Sequence, residues 1–477
     1  MSARAQILAD SILPSRTHCR SVFPWVEPVS VFGRIADQPG SILLESQPGA
    51  GGRYSTIWTA PFGTLKSERG RAILALPTGV RRGESALNAL RTALSRYASR
   101  AHAEAVPFAG GGVGYLGYEL HTDVEDLPAP ASIPDDLALP NCWLGFYNCA
   151  LVFDHLEHTI ALVWQDIPGV PEPMPELENL ERLVLEAAGE DEVPVPPEIR
   201  SCGAPSSSFT KVGYCEAVRT VKEYIAAGDV YQVNLSQRFS VRTAASPWET
   251  YLRLRESNPA PYAAYLNLGP FQVVSSSPEC FLTLDPTTRM VETRPIKGTR
   301  PRGFCADEDR RLARELASSA KDRAENVMIV DLERNDLGRV CEFGSVRVPR
   351  LAHVESHPTV HHLVSTVTGV LRADRDQVDL LQACFPGGSI TGAPKIRAME
   401  IIDELEPVRR SIYTGSIGYV GFDGSVNLNI AIRTAIFKEG FCHFHVGGGI
   451  VADSDPDMEY QETLDKGRAF FEVLGCP

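Results

Sequence analysis

Apolar residues along the chain recur in two registers. From 30 to 163 the sequence has short apolar runs, such as Ser41-Ile42-Leu43-Leu44-Glu45-Ser46 and Ala150-Leu151-Val152-Phe153, separated by Gly, Pro and Asp. That texture predicts strands and tight turns. It is interrupted once, at 86–97, where Leu87, Leu90 and Leu94 fall on one face of a predicted helix. A second helical register opens at Thr210, a side chain suited to an N-cap, continues through Tyr214, Val218, Val221 and Ile225, and stops at Gly228. Strands are expected at 237–241, 262–266, 273–276 and 281–284, then helices at 306–318 and 321–333. Strands follow at 346–351 and 359–371, the latter with a bend into helix as its alternative. A hairpin-rich block, 415–449, precedes a closing helix at 456–474.

These registers divide the chain into a β-rich N-terminal unit, 1–170, a proline- and acid-rich excursion, 171–208, with a helix near 177–188, and a second unit, 209–477. Gly112-Val113-Gly114-Tyr115-Leu116-Gly117 has the letters of a dinucleotide fingerprint, but the acids and prolines after it cannot supply the helix the fingerprint needs. It is better read as one copy of an internal echo, the other being Ser416-Ile417-Gly418-Tyr419-Val420-Gly421. The expected class is α+β, with α/β/β/α-like layers: two facing, largely antiparallel β-sheets with helices packed on the outside.

Composition narrows the partners. A net charge of -14 argues against a nucleic-acid or anionic-membrane surface, so cations for an anionic ligand must be individually placed. Eleven cysteines, among them Cys19, Cys142, Cys149, Cys202 and Cys280, occur without C-x-x-C pairs, which suits reduced thiols and a cytoplasmic location. No stretch reads as a signal peptide or a membrane span.

The candidate chemistry centres on Thr293-Arg294-Pro295-Ile296-Lys297-Gly298-Thr299. A proline-fixed approach and a following glycine can aim Lys297 at a ligand, and burial would lower its pKa enough to make it a nucleophile; a surface turn is the alternative. Two distant predicted helices carry acids at i, i+3: Asp322 with Glu325, and Glu459 with Glu462. Such pairs repel unless a cation lies between them, and a Mg2+ ion held by a few carboxylates, water and an oxygen-rich ligand would remove the penalty; two solvated helix faces are the alternative. Gly447-Gly448-Gly449 offers unobstructed backbone N–H groups as an anion cradle or forms a flexible turn, and Arg433 either forks a carboxylate or faces solvent. The segment 387–395 is glycine-rich but lacks P-loop spacing.

Taken together, Ser277-Pro278-Glu279, Pro295–Thr299, Lys321–Asn326, Met328–Asp336, His362–Ser365, Gly387–Lys395, Ile432–Thr434, Gly447–Asp453 and Glu459–Lys466 resemble the chorismate-utilising enzymes over nearly all of 210–471. The N-terminal half resembles them through Leu43–Ser46, Arg53–Ser55 and Gly111–Glu119. Within that family, anthranilate synthases typically have alanine where Lys297 stands, so P-I-K-G-T looks like the aminodeoxychorismate branch. Gln232 stands where the water-adding branches place a lysine base. The resemblance implies chorismate as substrate, Lys297 as nucleophile, Glu279 as proton donor, and His362 lining the ring or serving as a core histidine. It implies substrate contacts from Gly298, Thr299, Tyr413, Arg433 and Gly447–Gly449, and Mg2+ held by Glu325 and Glu462 with Asp322 and Glu459 close by. It further implies a tryptophan-type pocket of Ser46, Arg53, Tyr54, Ser55, Thr56, Pro261, Tyr262 and Ala263, its occupancy left open. Because no Cys/His/Glu glutaminase set is present, a separate glutamine amidotransferase subunit is the implied ammonia source.

Overall fold

In the computed structural model, the described residues are 16–22, 24–47, 52–68, 70–99, 108, 110–125, 127, 133–189 and 203–476. They form two 12-stranded sheets. Each sheet runs through both halves of the sequence. In the first, Ile42–Glu45 pairs antiparallel with Tyr262–Asn267, so the N-terminal strands continue directly into those of the second half. In the second, the joint is Gly111–Leu116 against Ser416–Gly421.

That second joint accounts for the internal echo. The two similar peptides lie side by side in one sheet, with Gly114 opposite Gly418. Both glycines have φ near +150°, and a Cβ on either would fall about 2 Å from a carbonyl oxygen of the next strand. Gly is therefore needed twice, for the same steric reason.

The layers follow from where the apolar side chains go. Ile42, Trp58, Leu266 and Val273 of the first sheet meet Val113, Tyr115, Trp143 and Ile417 of the second in one core. The sheets thus face each other, as their apolar alternation requires. The outer face of the first sheet is covered by Met174–Ala188, Pro247–Ser257 and Pro456–Val473, and that of the second by Ala86–Arg96, Ala320–Gly338 and Gln377–Cys384. A further cluster packs Lys211–Ala227 and Lys395–Leu405 on the strand Gln232–Arg242.

Most predicted elements recur with shifted ends. Residues 359–371 resolve as the strand Val360–Val370, without a helical bend. The helix at 177–188 extends over Met174–Ala188 and buries Leu177, Leu180, Leu183 and Val184, so this part of the acidic excursion belongs to the core; residues 190–202 lie outside the described residues. Among the described residues no helix is long and apolar enough to cross a membrane. Cys142, Cys149 and Cys280 are buried free thiols, whereas Cys202 lies outside the described residues.

Candidate active site

Lys297 stands on the strand Ile296–Pro301, which pairs with Val360–Val370. Ile296 opposes Val364 while Thr299 opposes His362, so the lysine strand has one residue more than its partner across that interval. The surplus is a bulge, with Gly298 at φ +86. Bulges re-aim side chains, and a glycine in the left-handed region adopts this one without Cβ strain. Here it directs the Lys297 amine inward: Nζ donates to the carbonyl of Ser389 at 2.9 Å. Burial pushes the Lys297 pKa down, opposed by the carboxylates of Glu279, Glu325 and Glu462 and assisted by Lys466.

Glu279 is 5% exposed, and its Oε1 accepts from the backbone N–H of Ile296 at 3.4 Å. Burial raises its pKa, against the pull of a Ser389 side-chain hydrogen bond and the Lys297 charge. Ser389 therefore bears on both candidate catalytic groups: its carbonyl accepts from the amine, and its side chain favours the ionised form of the carboxyl. Sequence reading named the segment that carries it but gave it no role; the available signal was the segment's glycine content, which permits close backbone approach.

His362 is buried, and its Nδ1 lies 2.9 Å from Thr299 Oγ1. Burial, then the charges of Arg433, His357 and His361, push its pKa down to about 3, so the imidazole is neutral at physiological pH. Arg433 donates from Nη1 to Asn258 Oδ1 at 3.1 Å, and burial lowers its pKa. Among the described residues it forms no ion pair with a carboxylate. A part-buried guanidinium held by a neutral amide rather than a carboxylate is poised for an anionic ligand. Tyr413 is buried and stacked on His445, with centroids 5.1 Å apart; burial raises its pKa.

Gly447, Gly448 and Gly449 belong to the strand Phe441–Ile450, which pairs along its length with Gln232–Arg242. They are thus not a loop. On the strand's other side pairing ends at Phe444, so beyond it no further strand of the described residues covers that edge. A Cβ at Gly447 would lie 2.6 Å from the Leu235 carbonyl, which leaves no room for a side chain; at Gly448 and Gly449 it would meet the side-chain ends of Glu459 and Gln232 at 3.2 and 2.1 Å, which would have to move.

Gly448 brings the second acidic helix to the site. On Pro456–Val473, Glu459 is buried and accepts from Ser454 Oγ at 2.5 Å, and burial raises its pKa. Glu462 pairs with Lys466 at 2.7 Å, and Lys466 also donates to the Gly447 carbonyl at 2.9 Å. Lys466 holds the Glu462 pKa down. On Ala320–Gly338, Glu325 has its pKa raised by burial, opposed by Lys297 and Lys321 and reinforced by the charges of Asp322 and Glu462. The two acidic helices therefore converge on one site, with the lysine between them. Asp322 is turned differently: it packs against Gly298 and pairs with Arg300 at 3.2 Å.

Among the described residues no three His, Cys, Asp or Glu side chains cluster as a ready-made metal cage. The donor set nevertheless fits Mg2+, which commonly takes one or two carboxylates and keeps its other positions for water and ligand. Glu325 and Glu462 are hard oxygen donors, each within the field of the other.

The predicted second pocket is a cavity of about 470 Å³ lined by Ser46, Arg53, Tyr54, Thr56, Pro261, Tyr262 and Ala263. Ser55 is not among its lining residues: its hydroxyl accepts from Ser46 N at 3.1 Å and meets His155 Nε2 at 2.7 Å. Pro278, Cys280 and Ile296 also line the cavity, so it shares a wall with the peptides carrying Glu279 and Lys297.

The family model described as chorismate binding enzyme matches residues 41–472. Aminodeoxychorismate synthase component 1 of Escherichia coli (strain K12) is 42% identical over 450 residues, covering 93% of this chain and 95% of the relative. Anthranilate synthase component 1 of Pseudomonas putida is 39% identical over 476 residues, covering 96% and 94%. The crystal structure of anthranilate synthase component I from Streptococcus pneumoniae TIGR4 is similar at a TM-score of 0.74 and 32% identity, covering 93% of this chain and 97% of that one. With nearly its whole length matched and its inward-turned lysine, its arginine and its converging acids arranged around one site, the chain belongs to the chorismate binding enzyme family.

Proposed function

We propose that the chain aminates chorismate to 4-amino-4-deoxychorismate, the precursor step toward p-aminobenzoate and folate, as an aminodeoxychorismate synthase component I. The observation that carries this reading is the Lys297 amine, aimed inward by the Gly298 bulge beside the buried carboxyl of Glu279. A half-buried lysine of lowered pKa is suited to nucleophilic attack, and a buried carboxyl of raised pKa to proton donation.

Chorismate's two carboxylates would be received at opposite ends of the site, one toward Glu325 and Glu462 and the other by Arg433, the open edge at Gly447–Gly449 and Tyr413. Mg2+ held by Glu325 and Glu462, with Glu459 and Asp322 nearby, would supply charge neutralisation and electron withdrawal at the ring carboxylate. The Lys297 amine attacks C2 as the C4–O bond breaks, and Glu279 gives its proton to the departing hydroxyl, which leaves as water. Ammonia then forms a bond at C4, the C2–N bond to Lys297 breaks, and the lysine is released. His362, neutral and held by Thr299, packs along the ring; Gly298 keeps the approach clear. The ammonia would come from a separate glutamine amidotransferase subunit, a reading that the words "component 1" in the relatives' names support.

The test is incubation with chorismate, Mg2+ and an ammonium salt. Aminodeoxychorismate is the expected product, and Lys297→Ala should abolish most of it while leaving the fold intact. Anthranilate fluorescence in that assay would instead favour the activity named for the Pseudomonas putida relative. Intact mass after chorismate is added without ammonia should show the Lys297 adduct; full activity of Lys297→Ala would end the covalent reading.

A further inference from the structure

The carbonyl of Ser389 holds the amine of Lys297, yet the segment carrying it has little regular structure of its own. It holds one short 3-10 turn, Gly388–Ile390, and a two-residue strand, Gly392–Ala393. A carbonyl that must stay within hydrogen-bond distance of a reacting amine needs support from elsewhere.

The support comes from a buried ion pair outside the site. The Ser389 carbonyl accepts from Lys297 Nζ and also from Asn234 Nδ2 at 2.9 Å. Arg410 holds both flanks of that junction: Nη1 donates to the Ile390 carbonyl at 3.0 Å and Nη2 to the Asn234 carbonyl at 2.7 Å. Its Nε donates to Glu406 Oε2 at 2.9 Å. Glu406 Oε1 in turn accepts from the backbone N–H and hydroxyl of Ser236, at 2.7 and 2.9 Å, on the strand that carries Asn234. Arg410 and Glu406 are 2% and 4% exposed, and the guanidinium lies over the Tyr118 ring at 4.8 Å.

Stability alone is a weak reason for such a pair, because two buried charges lose most of their Coulomb gain to desolvation and apolar residues of the same volume often do as well. A planar fork of fixed donors does what apolar packing cannot: it sets the positions of two carbonyls relative to each other. We propose that the Arg410–Glu406 pair is the positioning element for Lys297, holding the Ser389 carbonyl against the amine through Ile390 and Asn234. The inference rests on Lys297 being the nucleophile, and it assigns Arg410, Glu406 and Asn234 to positioning.

Two variants test it. Arg410→Lys keeps the charge beside Glu406 but cannot reach both carbonyls, and Asn234→Leu removes the second donor to Ser389 without burying a charge. Each should lower kcat by about tenfold or more with KM within about threefold, as loss of orientation does. The second readout needs no substrate: carbamylation of Lys297 by cyanate, followed by peptide mass against pH, reports when the amine is uncharged. A carbonyl acceptor favours the ammonium form, so in both variants the midpoint should move to lower pH. An unmoved midpoint with unchanged kcat, or a rate loss matched wholly by a fall in melting temperature, overturns the proposal. Lys297→Ala, assayed in parallel, tests the nucleophile reading separately, since the cyanate midpoint is set by the amine's surroundings and not by the reaction catalysed.

Discussion

Gly298 sits so close to Asp322 that a Cβ on the glycine would lie 2.9 Å from both Cβ and Cγ of the aspartate. This contact joins the lysine strand to the helix bearing Glu325, and it occurs where the backbone is at φ +86. Gly298→Ala meets both obstacles at once, and an L-residue forced into that region costs about 1–3 kcal/mol. The variant should lose that much stability in urea unfolding. Its kcat should fall at least about tenfold, because the bulge that aims Lys297 is displaced with it. Wild-type kcat in Gly298→Ala would show that the bulge does not set the lysine's direction.

Much of this site was legible in the sequence because its residues announce their own constraints. Lys297 was flanked by Pro295 and Gly298, and the acids stood at i, i+3 on segments with helical periodicity. What could not be read was which backbone carbonyl the lysine would meet. Ser389 is 92 residues away in sequence, and the bond uses its main chain, which carries no residue-specific signal. Lys466 stands four residues after Glu462, a spacing that shows the ion pair but not its bond to the Gly447 carbonyl, which depends on how the final helix lies across the strand. Likewise the echo at 112–117 and 416–421 exposed a shared need for glycine but not that the two peptides pair, since pairing is a property of sheet order rather than of either peptide.

The lowered pKa of Lys297 makes a signed prediction about stability. Its folded value lies below the ordinary lysine value of 10.5, so between the two the unfolded chain binds more protons and stability rises with pH. Below the folded value the buried ammonium imposes its full penalty; above 10.5 the penalty is gone. Lys297→Met should therefore be more stable than wild type at neutral pH, with the advantage shrinking as pH approaches 10.5. Urea melts of both proteins at several pH values measure it, and an advantage that grew with pH would contradict the burial of a charged amine.

Arg433 presents the same trade in a group that cannot discharge. Its guanidinium is half-buried beside Asn258 with no carboxylate partner among the described residues. Hydrogen bonds to a charged group contribute about 1.5–3 kcal/mol, so Arg433→Met should raise the KM for chorismate roughly 10- to 100-fold. The free variant should melt at a higher temperature, because a buried charge kept for a ligand is a burden without it. A lower melting temperature with unchanged KM would mean that Arg433 serves the fold and not the substrate.

Glu325 decides whether the converging acids serve a cation. Its pKa is raised by burial and by the neighbouring charges of Asp322 and Glu462, so in the free protein the carboxylate is held at a cost that a divalent cation would relieve. Magnesium binds the deprotonated form, and its affinity must weaken as pH falls through that raised value. Calorimetric titration of Mg2+ into the protein should show this loss. Glu325→Gln, which keeps the shape but removes the charge, should weaken binding about tenfold or more and also make binding less sensitive to pH, since a principal titrating ligand is gone. Equal affinity and equal pH dependence in the two proteins would place the ion elsewhere, and the convergence of the two helices would then have to be explained by Lys297, Lys321 and Lys466, the cations whose charges already act on these acids.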